Sequence, residues 1–584
     1  MFNHKYLYKT GRMISVNQHD KKVNIRTGQS LAAVTALLLL CAMTANAQSA
    51  AVKEAAQSVF ILTTYSADGT AIATSHGVFI GDGSEGVSTL APFDGAARAV
   101  VTDAKGNDMD VIRIIGVNSL YDVARFRVNG NSTAAATASA SVTSGTTVWL
   151  VTCPEDGKKS PVSASINSVE TFMDKYSYYI LTATMPENGD ACPFVNDGGE
   201  VIGLMQPSST SSNIHAVDIR FIASLEAGAF AYSNANIQKT AIPAALPREQ
   251  SQAQVMLMTA SQSRDTLKYE AAIEDFIAQF PALTDGYMAR AQLMSARGQY
   301  DAAATAMGNA LDNAADKAEA HFNYARLIYN KLTTDSRPYE PWTLDKAMEH
   351  VNAASAISQQ PMYEHLKAQI YYSKGEYQTA YDMFTSLQDD KSFNTSELLF
   401  ECAQCKQMLG AGDEEVLVLV DSAINTTDTM RMNDAAPYFL MRADIYNAMG
   451  RYRDAVFDYT RYAILTPQMP SAQFYYIKEQ AEVKGKLYKQ ALDDIARAIL
   501  MEPDEPMYMA EMASLYIRVN QPDKALQIAE KCVETAPDYS TGHVLHGLAL
   551  IKNDRREEGM AALAKARDLG DAQAQPLIDK YSGE

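Results

Sequence analysis

Three groups of side chains in this 584-residue chain have types and spacings that could do chemistry. Cys192 and His215 could form a thiol–imidazole couple, in which the imidazole takes the thiol proton and the thiolate attacks a carbonyl. Asp122 and Asp190 could act as paired carboxylates, the arrangement of a glycosidase or a cation site. Cys402-Ala-Gln-Cys405 has the C-x-x-C spacing of redox and zinc motifs. It sits within helical periodicity with no second pair or histidine nearby, so small apolar packing is the favoured reading. No P-loop, dinucleotide fingerprint, EF-hand loop or zincin motif is present, and no cofactor or metal is expected.

The elements that must position these groups begin with a leader. Lys5, Lys9, Arg12, Lys21, Lys22 and Arg26 precede an apolar stretch from Leu31 to Met43, and Ala45-Asn46-Ala47 follows. A basic region, a short apolar core and an A-x-A site read as a signal peptide over 1–47, too short for a membrane-spanning helix. Met13 is an alternative start. Cys41 would be a lipid-attachment site, but Leu40 before it is bulkier than such sites tolerate. Export to the periplasm or the extracellular space is the expectation, with no membrane span once the signal is removed.

The chain has 69 acidic and 50 basic residues, a formal charge of −19. Losing six basic residues and Asp20 with the leader takes it to −24. Such a surface repels phosphate backbones, so nucleic acid is not an expected partner. With 47% hydrophobic residues the chain is not wholly disordered. Five cysteines remain after the leader, too few for a disulfide scaffold, so burial must hold the core.

Residues 48–228 are built of short β-branched and aromatic runs separated by Gly, Asp, Asn and Ser. The runs are Ser58–Thr64, Gly77–Ile80, Ala99–Thr102, Asp110–Ile115, Ala124–Val128, Thr147–Val151, Tyr178–Thr182 and Val201–Met205. Their spacing predicts an all-β barrel or sandwich. Asn131–Ser144, rich in Ser, Thr and Ala, reads as an exposed connection. Between 229 and 250 no period is sustained and Pro243 and Pro247 intervene, which reads as a linker.

From 251 to 584 helical spacing takes over, and a phrase recurs. Gly298-Gln-Tyr300-Asp-Ala-Ala303 is echoed by Gly375-Glu-Tyr377-Gln-Thr-Ala380 and Gly450-Arg-Tyr452-Arg-Asp-Ala455. Looser copies end at Ala272, Ala347, Val416, Ala491, Ala525 and Gly559, in steps of 31 to 44 residues. The longest step carries an insertion, Ser336-Arg-Pro338-Tyr-Glu-Pro341. The pattern resembles the tetratricopeptide (TPR) repeat, which implies a solenoid of about nine helix pairs with a groove for a protein or peptide. Most tyrosines of this half, Tyr459, Tyr475 and Tyr508 among them, are expected in the inter-repeat core.

The β half resembles the trypsin-like serine peptidases, particularly their periplasmic Htr/Deg branch. The resemblance rests on His76-Gly77-Val78-Phe79-Ile80, on Asp122-Val123-Ala124, and on Pro193-Phe194-Val195-Asn196 followed by Gly199-Glu200-Val201-Ile202-Gly203. It implies a multidomain chain: an all-β trypsin-like double barrel followed by an all-α TPR solenoid. Alignment on the motifs puts the histidine position at Ala91 and the serine position at Asp190, leaving only Asp122 of the triad. A methyl group and a carboxylate supply neither proton acceptor nor attacking hydroxyl. Asp122 and Asp190 then read as solvated remnants. The same resemblance brings the segments of Cys153 and Cys192 together, implying a disulfide that export would permit.

Two functions follow. The first is an exported protein-binding scaffold, a pseudoprotease domain coupled to a TPR array. The second is a divergent serine or cysteine endopeptidase whose repeats recruit substrate.

Overall fold

The β-branched runs form antiparallel strands in the computed structural model, which describes residues 49–152, 161–183, 191–206, 213–263 and 265–583. The leader residues 1–47, Cys153 and Asp190 lie outside the described residues. Strands β1 (Val59–Tyr65), β2 (Ala71–Ile80), β3 (Glu85–Ser88), β4 (Arg98–Thr102), β5 (Asp108–Asn118) and β6 (Val123–Val128) make one closed barrel in the order β1-β2-β3-β6-β5-β4. Strands β7 (Thr147–Leu150), β8 (Val162–Phe172), β9 (Tyr176–Thr182), β10 (Pro193–Val195), β11 (Val201–Gln206) and β12 (Ile214–Asp218) close a second, in the order β10-β11-β12-β9-β8-β7. Closure pairs every strand on both sides and leaves no free sheet edge. The expected all-β double barrel is what these strands build.

The first barrel is filled by aromatic rings. Phe60 lies 4.7 Å from Phe79 and 5.8 Å from Phe126, centroid to centroid. Gly77 makes room for them: a Cβ there would lie 2.3 Å from the Val87 carbonyl oxygen and 2.4 Å from the Phe60 ring. The second barrel packs Leu150, Tyr179, Leu181, Phe194, Ile202 and Val217, all essentially inaccessible to solvent. Residues 131–144, read as exposed, are only partly so. Ala135 N–H donates to the Phe79 carbonyl and Ala138 N–H to the Val201 carbonyl, which buries both alanines.

Residues 229–250 lie along the first barrel. Gly95 N–H donates to the Lys239 carbonyl (3.0 Å), Ala241 N–H to Ala96 (2.8 Å), Ile114 N–H to Pro243 (2.8 Å) and Ala245 N–H to Ile114 (2.8 Å). Contacts are made one or two residues at a time, so no hydrophobic period is written into the segment. Helices Gln250–Ser261 and Thr266–Gln279 follow within the same compact unit, which ends at Pro281. Asp275 takes a bidentate ion pair from Arg113 of β5 (2.7 and 2.9 Å), and the Lys268 ammonium donates to the Thr240 carbonyl.

The second unit, Ala282–Glu584, is helical from Asp285–Ala296 to Ala574–Ser582. Consecutive helices pair through the small residues of the recurring phrase. Ala303, Ala347, Ala380, Ala455, Ala491 and Ala525 are completely buried, each on the first turn of the second helix of its pair. A bulky side chain there would force the two backbones apart, which is why small residues recur at all but Val416. Tyr459, Tyr475 and Tyr508 are core residues, as the spacing predicts.

Candidate functional site

The site is built where the loop after β3 meets the loop before β6. The short turn Ala91–Phe93 follows β3, with Pro92 and Phe93 buried beneath it. Asp122 sits immediately before β6 with φ of 46°, a left-handed conformation that aspartate tolerates better than most residues. Its backbone carbonyl accepts from Leu90 N–H (3.2 Å), and its side-chain Oδ1 accepts from Ala91 N–H (2.8 Å). Asp122 and Ala91, the residue expected at the histidine position, are therefore in direct contact, through the backbone of Ala91.

A cleft of about 210 Å³ opens here, lined by Leu90, Ala91, Phe93, Asp94, Ser119, Asp122, Asn236 and Lys239. Asn236 and Lys239 come from the segment after the barrels, and the Lys239 ammonium pairs with Asp94 at 2.7 Å. Sequence comparison with a peptidase pattern does not find these two residues, because they lie beyond the region the motifs cover. The signal for them is chemical only: a lone cation, Lys239, in a stretch with no other charge between Glu226 and Arg248. Among the described residues lining the cleft, the Ser119 hydroxyl has no imidazole beside it, and carboxylates and one ammonium make up the charged groups. Such a set can bind and position a polar ligand.

The thiol–imidazole couple is not assembled. Met205 N–H donates to the Cys192 carbonyl, so Cys192 stands across from Met205, and Met205 pairs with Ala216. Residues directly across a ladder share a face, whereas neighbours along a strand alternate. Cys192 thus points to the face of Ala216, into the buried core, and His215 to the other face, where its ring lies 5.5 Å from that of Tyr178. Ala191, beside the expected serine position, holds φ of 59°.

In the helical unit, Cys402 and Cys405 are both fully buried among Ala368, Phe384 and Leu398. Burial pushes the Cys405 thiol up to about 12, so it carries no thiolate at neutral pH. Packing accounts for the C-x-x-C spacing.

No protein-family model matches the chain, and no curated protein matches it. Among solved structures the chain is similar to a crystal structure of the Rv3671c protease in its inactive form. The match has 14% identity and a TM-score of 0.26, and it covers 30% of this chain and 91% of that one.

Proposed function

We propose that this chain is an exported protein-binding scaffold: a trypsin-like domain that has lost peptidase activity, carrying a TPR array that holds a protein or peptide partner. The observation that supports it most is the Ala91 amide on Asp122. In a working triad that carboxylate accepts from the imidazole and holds it in the correct tautomer. Here Oδ1 accepts a backbone N–H, and Ala91 has no side-chain nitrogen to donate to the carboxylate. With base and nucleophile replaced together at Ala91 and Asp190, the covalent route is gone. The leader reading supports placement in the periplasm or outside the cell. In that setting we propose a Cys153–Cys192 disulfide, and intact mass with and without reduction tests it; two free thiols would remove it.

The experiment for the whole reading has two arms on the purified chain. Casein incubation is expected to show no cleavage, and affinity capture from the native envelope is expected to recover a specific partner. Robust turnover abolished by a serine- or cysteine-directed inhibitor would overturn the reading in favour of a divergent endopeptidase.

A further inference from the structure

The helical unit carries a basic cleft that the scaffold reading does not use. It opens between the turn joining helices Ala436–Ala448 and Tyr452–Leu465 and the turn joining Ala472–Lys484 and Tyr488–Met501, and its volume is about 370 Å³. Arg451, Arg453, Lys484 and Lys486 line it, with Asp454 as the one carboxylate of the lining. Four cations against one carboxylate leave three positive charges in excess, in a chain whose formal charge is −19.

These cations are held in place, and three of them lack an opposite charge. Arg453 Nε donates to the Gly485 carbonyl (3.3 Å), which links the two turns, and the Lys484 ammonium lies 5.6 Å from the centroid of the Tyr452 ring. Arg451 takes Asp454 as its partner (2.9 Å) and lies over the Tyr446 ring at 4.1 Å. Among the described residues no carboxylate comes within ion-pair distance of Arg453, Lys484 or Lys486. Packing does not ask for the two arginines. The recurring phrase needs its tyrosine and its small residue, while the residues on either side of the tyrosine are exposed and free to vary. They are Gln299 and Asp301 in one copy, Glu376 and Gln378 in another, and Arg451 and Arg453 here.

Lys486 adds an observation from the backbone. Its φ is 60°, a left-handed conformation that is unfavourable for a side chain with a Cβ. In the matching turns of the other pairs that position holds glycine, Asn520 or Asp554, all of which tolerate it better. The fold therefore bears a local cost that sets an ammonium at the cleft. Guanidinium forks and point-charge ammonium groups together suit phosphate oxygens, and three excess charges match a doubly charged phosphate better than a singly charged carboxylate. We propose that this cleft binds a phosphate monoester or inorganic phosphate, supplied either as a small free molecule or as the phosphomonoester headgroup of a lipid. The proposal stands on the cleft alone and is independent of what the β domain does.

Two measurements on the full chain test it: calorimetric titration with inorganic phosphate, and co-sedimentation with phosphatidylcholine vesicles with and without phosphatidic acid. Saturable binding of inorganic phosphate, of the phosphatidic acid vesicles or of both is expected, weakening as sodium chloride is added. Capture by vesicles only when they carry phosphatidic acid would make the headgroup the source; inorganic phosphate bound without the vesicles would make it a small free phosphate. The double variant Arg453→Gln with Lys486→Gln is expected to weaken binding by about tenfold or more. Arg461→Gln, which removes an exposed cation outside the cleft, should leave it unchanged. Lys486→Gly separates binding from folding: it removes the cation and the left-handed cost together, so binding should weaken with no fall in the melting temperature of the helical unit. No saturable binding of either probe, equal capture by phosphatidylcholine alone, a double variant that binds like the parent, or an equal loss in Arg461→Gln would overturn the proposal.

Discussion

The amide of Ala91 donates to Oδ1 of Asp122 at 2.8 Å, so a carboxylate expected to be a solvated remnant ties one loop to another. It accepts the free N–H at the start of the Ala91–Phe93 turn, as a helix-capping aspartate would. Asp122→Ala is expected to lower the unfolding free energy of the β unit by about 1 kcal/mol. Asp122→Asn, which keeps an oxygen acceptor, should lose less. Urea denaturation followed by tryptophan fluorescence checks both. A catalytic aspartate would show its loss in turnover; a tether shows it only in stability.

The second prediction concerns pH. Glu479 and Glu482 are completely buried on helix Ala472–Lys484. Burial pushes the Glu479 carboxyl up to about 8, and it pushes that of Glu482 upward despite Lys478 at 3.2 Å. Since these folded-state values lie above the unfolded one of about 4.5, the native state holds more protons between the two. Stability is full below about pH 4.5 and falls as pH rises toward 8. Thermal melts of the helical unit's transition should shift downward from pH 5 to pH 8, and Glu479→Gln should flatten that slope. A transition that rises over the same range would contradict the burial argument.

A third test addresses the ion pairs inside the repeats. Arg442 donates to Asp458 through Nε (2.7 Å) and Nη2 (2.9 Å), and Asp458 is 1% exposed. Arg442→Met leaves that carboxylate buried without its partner and is expected to destabilise the helical unit by about 3–5 kcal/mol. The double variant Arg442→Met with Asp458→Leu should recover much of the loss, because removing both charges removes the uncompensated one. Chemical denaturation followed by far-UV circular dichroism reads the difference.

The fourth lies in the first barrel. Gly77→Ala puts a methyl group against the Val87 carbonyl oxygen and the Phe60 ring. A clash with backbone cannot be relieved by a rotamer change, so a loss of about 3 kcal/mol is expected. Gly69→Ala, at an exposed turn where a Cβ meets nothing, carries only the cost of its φ of 85° and should lose less.

Periodicity alone determined a good deal here. Eight of the strand runs and every small residue of the helical phrase were legible, because a strand writes its buried face at every second position and a paired helix needs its closest approach unobstructed. Strands β3, β8, β10 and β12 are not among those runs: Glu85–Ser88, Pro193–Val195 and Ile214–Asp218 are too short to show alternation, and Val162–Phe172 sets Ser, Asn and Glu on its outward face. Order along the chain also placed Asp122 at the end of a loop. Only the tertiary structure decided what Asp122 touches, that Asn236 and Lys239 wall the same cleft, and that Cys192 and His215 face apart. Those outcomes depend on ladder register and on a segment returning from more than 100 residues away, and neither leaves a period in the sequence.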